Sequence, residues 1–99
     1  MNITIQSVRF TASEQLEEFI QQKVGKLDQF FDGIVSAEVI LRLDKSDSTE
    51  NKVAEININI PGGELFAKKQ TKTFEEATDL SVDALRKQLI KWKEKVRAK

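Results

Sequence analysis

Neither cysteine nor histidine occurs in the 99 residues. Without cysteine there is no disulfide framework, no thiolate zinc site and no cysteine nucleophile. Without histidine the commonest general base and the commonest transition-metal ligand are both missing. Proline occurs once and glycine four times, and nothing in the chain reads as a linker, a repeat or a low-complexity tract. No apolar run approaches the roughly 20 residues that a membrane span needs. The start, Met1-Asn2-Ile3-Thr4-Ile5, has neither the basic nor the apolar region of a secretory signal. These absences predict a single soluble, cytoplasmic domain over residues 1–99 that binds rather than catalyses.

The remaining chemistry is sparse. Ser7, Thr11 and Ser13 have no base placed to activate them. Asp44, Asp47 and Glu50 could supply oxygen ligands, but they lack the glycine and ligand order of a calcium loop. Pro61-Gly62-Gly63 is too short, and wrongly followed, to cradle a phosphate. No cofactor, no metal and no small-molecule substrate are expected.

Charge is balanced in total and unbalanced in place. Residues 1–64 hold 6 Lys/Arg against 11 Asp/Glu, a net of −5, and residues 65–99 hold 10 against 5, a net of +5. Such asymmetry points to an anionic partner for the second half.

Apolar spacing sets the elements. Asn2 to Phe10 alternates as a strand, with a change of parity between Ile5 and Val8 that predicts a bulge near Gln6-Ser7. Thr11-Ala12-Ser13-Glu14 reads as a capping box. The helix after it carries Leu16, Ile20, Val24, Leu27 and Phe31 on one stripe. Val35, Ala37, Val39, Leu41 and Leu43 share one strand parity. Ala54, Ile56, Ile58 and Ile60 share another, against a wet face of Glu55, Asn57 and Asn59. A turn at Pro61-Gly62-Gly63-Glu64 leads into a shorter strand, Leu65 to about Thr71. Phe74 to Val96 is a long helix with the stripe Thr78, Val82, Leu85, Leu89, Trp92 and Val96.

The order β-α-β-β-β-α predicts a parallel first pair, antiparallel hairpins after it, and both helices on one face. The fold class is therefore α+β, a two-layer sandwich on a four-stranded sheet. Double-stranded RNA-binding domains share the layout of two helices on one sheet face. The extra first strand, and the lack of a basic loop at a helix start, set this chain apart from them.

On a helical wheel Lys87, Lys91 and Lys95 fall on one flank of the last stripe, and Arg86, Lys93 and Arg97 on the other. Asp83 and Glu94 lie between them. Seven basic residues against two acidic ones from Leu80 to Lys99 exceed what the helix dipole explains, since the dipole acts only over the last turn. Lys23 snorkels at the edge of the first stripe, Lys26 lies further round, and Lys68, Lys69 and Lys72 crowd the fourth strand and its exit. With both helices on one face, these cations are expected to line the groove between them and its ends. Such a surface follows phosphate rather than base edges.

Ile58-Asn59-Ile60-Pro61-Gly62-Gly63-Glu64-Leu65-Phe66-Ala67, followed by the run from Phe74 to Leu89 (FEEATDLSVDALRKQL), resembles the bacterial ribosome hibernation-promoting factors. That family includes the ribosome-associated inhibitor A proteins, once called sigma-54 modulation proteins. Lys23-Val24-Gly25-Lys26-Leu27 is similar to the family's first helix. The resemblance spans essentially the whole chain and implies a stationary-phase translation inhibitor. Such a factor binds the small ribosomal subunit and its rRNA, in the channel for mRNA and tRNA anticodon ends. The RNA contacts it implies map onto Lys23, Lys26, Lys87, Lys91 and Lys95. The sequence departs from the family pattern at Thr73, Glu75 and Ala84, with Arg86 nearby to compensate. Ending just after the last helix, the chain looks like the short form. Two other readings stay open: a sigma-54 transcription modulator acting by protein contact through Asn57 and Asn59, and a general RNA-binding module.

Overall fold

The computed structural model describes residues 1–44 and 49–97, the last by its backbone alone. Strand β1 (Asn2–Val8) is followed by helix α1 (Glu14–Gly25), which tightens into a 3-10 segment, Lys26–Gln29. Strands β2 (Ser36–Leu43), β3 (Lys52–Ile60) and β4 (Gly63–Thr71) lead to helix α2 (Phe74–Arg97). The sheet order is β1-β2-β3-β4. β1 runs parallel to β2, and the other two pairs are antiparallel. This is the expected α+β sandwich in the expected chain order.

The core lies between the sheet and the helices. Ala37, Val39 and Leu41 of β2 and Ala54, Ile56 and Ile58 of β3 are buried with Ile20, Val24 and Leu27 from the α1 side and Leu85 and Leu89 of α2. Trp92 is half-buried against the same cluster. Phe10 and Phe74 stack at 4.9 Å between ring centroids, joining the entry of α1 to the start of α2.

Several local expectations are corrected. There is no bulge in β1, because the pairing runs unbroken from Asn2↔Ser36 to Val8↔Arg42. Val8 keeps the strand's alternation and faces the open side opposite Arg42, and the chain leaves the strand at Arg9, whose φ is +67°, before Phe10 packs on the core. The cap of α1 is Ser13, not Thr11: the Leu16 amide donates to Ser13 Oγ at 3.1 Å. Glu14 is thereby the first helical residue, so Thr11 and Glu14 form no capping box. Thr73 does the same for α2, with its Oγ1 accepting from the Glu76 amide at 3.1 Å.

The predicted stripes also overrun the core at their ends. Val35, Leu43 and Val96 are exposed, where the sheet and the last turn of α2 extend past their partners. Val53 shares the outward parity of Glu55 yet is buried, because Arg42 and Gln70 flank it in register. At the tight turn, Pro61 fixes the first corner and Gly62 takes φ +89° at the second, a conformation that glycine adopts without steric cost. The Trp92 ring lies close enough that a Cβ on Gly62 would meet it at 3.7 Å.

Candidate nucleic-acid interface

Helix α2 carries its cations on two flanks that look onto different neighbours. Gln88 Nε2 donates to the Phe66 carbonyl at 2.9 Å, which pins one flank over strand β4. Lys91 and Lys95 line a shallow depression there with Leu65, Gln88 and Trp92. Lys87, one turn before Lys91, is two-thirds exposed. Three lysines thus leave the helix about 6 Å apart along its axis, roughly one turn from one to the next. β4 is an edge strand, and Lys69 has its helix-side parity, opposite Ala54. Lys72 is exposed just beyond.

The other flank looks onto α1 and the 3-10 segment. Arg86 Nη2 donates to Asp83 Oδ1 at 2.8 Å, and its guanidinium lies 5.9 Å from the Phe30 ring centroid, within cation–π range. Lys93 lines a depression with Phe31, Pro61, Trp92 and Val96. Lys23 crosses the helix pair to Asp79, Nζ to Oδ1 at 3.2 Å, and sits 5.6 Å from the Phe19 ring centroid. Lys26 is exposed where α1 passes into the 3-10 segment. The side chain of Arg97 lies outside the described residues.

Asp83 serves both flanks. Besides Arg86 it holds Lys87 Nζ at 3.3 Å through Oδ2. The hydrogen bond from Arg86, and then that from Lys87, holds its carboxyl below the ordinary aspartate value of 3.8.

Apart from Lys26, the predicted cations therefore divide into three groups. Lys87, Lys91 and Lys95 form one row, with Lys69 on the same side of the sheet. Lys23 and Arg86 border the interhelical groove, each paired with an aspartate. Lys68 belongs to neither, because adjacent strand residues point to opposite faces and Lys69 takes the helix side. Lys68 instead lines a depression on the open face with Arg9 and Arg42. Those two arginines escaped the sequence reading, although the alternation of β2 already turns Arg42 away from Leu41. The Asp83 pairs were legible as i,i+3 and i,i+4 contacts. The Lys23–Asp79 pair joins distant parts of the chain and left no local signal.

Among the described residues no group of three or more acidic, histidine or cysteine side chains could hold a metal ion. Asp47 lies outside the described residues. No described helix is long and apolar enough to cross a membrane.

Comparison with known proteins gives the family. The profile of the family described as Sigma 54 modulation protein / S30EA ribosomal protein matches residues 3–97. The ribosome hibernation promoting factor of Escherichia coli strain K12 is 35% identical over 97 residues, which is 98% of this chain and 96% of that one. The crystal structure of the Thermus thermophilus Protein Y N-terminal domain superposes with a TM-score of 0.81 at 26% identity, covering 93% of this chain and 99% of that one. A ribosomal subunit interface protein from Coxiella burnetii shares the fold at a TM-score of 0.85 and 23% identity, covering 95% and 99%. The chain belongs to the Sigma 54 modulation protein / S30EA ribosomal protein family, a family of ribosome hibernation factors that bind and do not catalyse.

Proposed function

We propose that this protein is a cytoplasmic, ribosome-associated translation inhibitor that binds small-subunit rRNA in the mRNA and tRNA channel of idle ribosomes. The observation that carries the reading is the row Lys87, Lys91 and Lys95, exposed along one flank of α2. The row is set on a helix that Leu85 and Leu89 anchor in the core. A rigid row of cations at one-turn spacing suits a phosphate backbone, which it positions without reading sequence. Lys69 extends the basic surface along β4, and Lys23, Lys26 and Arg86 extend it across the helix pair. The names of the relatives support the ribosome as the target.

The family description also names sigma 54 modulation. Asn57 and Asn59, the residues the sequence offers for a protein contact, are half-buried, and Asn59 Nδ2 is already donated to Ser36 Oγ at 2.8 Å. The names of the relatives point to the ribosome instead, and the ribosomal reading is the better supported.

The test is sedimentation of a stationary-phase lysate through a sucrose gradient, with each fraction probed for the protein. It is expected with the small subunit and whole ribosomes, and increasingly at the top of the gradient as salt rises, because counterion release makes phosphate contacts salt-sensitive. Absence from ribosomal fractions at moderate salt overturns the proposal.

A further inference from the structure

Lys68 stands apart from the α2 surface and has its own company. On the open face of the sheet, β4 presents Lys68 opposite Glu55, and Gln70 opposite Val53. β2 brings Arg42 opposite Val53 and next to Val8 of β1. Arg9 follows directly at the exit of β1. Arg9, Arg42, Lys68 and Gln70, with the single lining carboxylate of Asp44, surround a depression of about 410 Å³ into which Val8 and Val53 also face.

Three features of this depression fit an anion. First, Arg9 holds φ +67°, a conformation that glycine adopts freely and a branched-off side chain only at a cost. A glycine would make the same turn without strain, so a strained arginine at a cavity mouth points to a function for its guanidinium. Second, Arg42 is oriented by an ion pair with the mostly buried Glu55, while Arg9 and Lys68 make no ion pair among the described residues. Third, Gln70 is fixed as a wall, its Nε2 donated to Asp44 Oδ2 at 3.0 Å and to the Glu50 carbonyl at 2.9 Å. Arginine forks match phosphate oxygens bidentately, and the apolar Val8 and Val53 lower the local dielectric and strengthen the attraction.

We infer that the open-face depression bordered by Arg9, Arg42 and Lys68 is a second RNA-phosphate site, on the side of the sheet opposite the helices. The inference rests on the proposed RNA-binding function and extends it: the protein is gripped by RNA on both faces. An RNA lying along Lys87, Lys91 and Lys95 leaves this site free for another phosphate.

The test is a titration of the isotope-labelled full chain with a short oligouridylate, followed by amide resonances, with a short polyglutamate as the second probe. Oligouridylate is expected to shift the amides of Arg9, Arg42, Lys68 and Gln70 as a set separate from those of α2. Lys87→Glu with Lys91→Glu should remove the α2 set and spare the open-face set. Arg9→Gly with Lys68→Gln should do the reverse, with a melting temperature no lower than wild type because the strained φ is relieved. In the Lys87/Lys91 background, loss of the two open-face cations should flatten the slope of log affinity against log salt by about 1.4. If α2 amides shift and open-face amides stay still, the inference falls while the proposed function stands. If neither set moves, both fall. Open-face shifts with polyglutamate and none with oligouridylate make the depression a protein contact and overturn the RNA assignment.

Discussion

Lys23 of α1 and Asp79 of α2 meet at 3.2 Å across the helix pair, so an acidic side chain occupies the very cation that the sequence offers to RNA. Both side chains are a third to a half exposed, and a pair of that kind contributes only about 0.2–1 kcal/mol to stability. Asp79→Asn is therefore expected to lower the denaturation midpoint slightly while raising affinity for small subunits, because Lys23 is released. Equal or weaker binding by the variant would show that Asp79 positions Lys23 productively instead.

The row on α2 makes a stronger demand. Lys87→Glu with Lys91→Glu replaces two attractions by two repulsions beside phosphate. Neither side chain is in the core, so the fold should lose about 0.5 kcal/mol or less per site. Inhibition of cell-free translation should nonetheless fall sharply. Glu17→Lys with Glu18→Lys is the control. Those carboxylates lie with Glu14, Gln21 and Gln22 on α1, away from the row, and the control should inhibit as wild type does. A Lys87/Lys91 variant of undiminished potency would reduce the row to a solvated helix face.

Asp83 gives a prediction in pH. Its carboxyl is held below 3.8 by Arg86 first and Lys87 second. A depressed folded-state value means that its contribution is present above the unfolded value and is lost as pH falls through the folded one. Between pH 7 and 5 the clamp should be unchanged. Carboxyl-carbon resonances should place the Asp83 midpoint below 3.8, and Arg86→Gln should move it upward. A midpoint that ignores Arg86 would mean the hydrogen bond does not persist in solution.

The cap of α1 separates two neighbouring hydroxyls. Ser13→Ala should cost about 0.5–2 kcal/mol, as lost N-caps do, whereas Thr11→Ala should be nearly neutral. Chemical denaturation of the two single variants decides between them, and the opposite ranking would restore the capping box.

Much of this architecture was legible in the sequence because period-2 and period-3.6 spacing report directly on which face is dry. The alternation of Ala54, Ile56, Ile58 and Ile60 and the stripe through Leu85 and Leu89 were read correctly for that reason. Errors arose where two local signals compete. Thr11 and Ser13 are both competent caps, and only the path of the backbone chooses between them. Val8 reads as a core residue because it is apolar, whereas it continues the alternation of β1 onto the open face, and only Phe10, after the left-handed Arg9, returns to the core. The placement of the cations was legible on α2, where helical spacing fixes the flanks. Lys69 lies on the expected side, but Lys68 does not, since proximity in sequence was taken for proximity on a face. No local pattern could have paired Lys23 with Asp79.

The parallel pairing of β1 with β2 has a consequence for the order of assembly. Asn2 pairs with Ser36 across the whole of α1 and the 3-10 segment, whereas β3 passes into β4 through the tight turn at Pro61-Gly62. Closing the longer loop costs more chain entropy before any contact repays it. The first strand synthesised is thus expected to be the last secured. As an edge strand held on one side only, it should also exchange its amide hydrogens before β2 and β3 do.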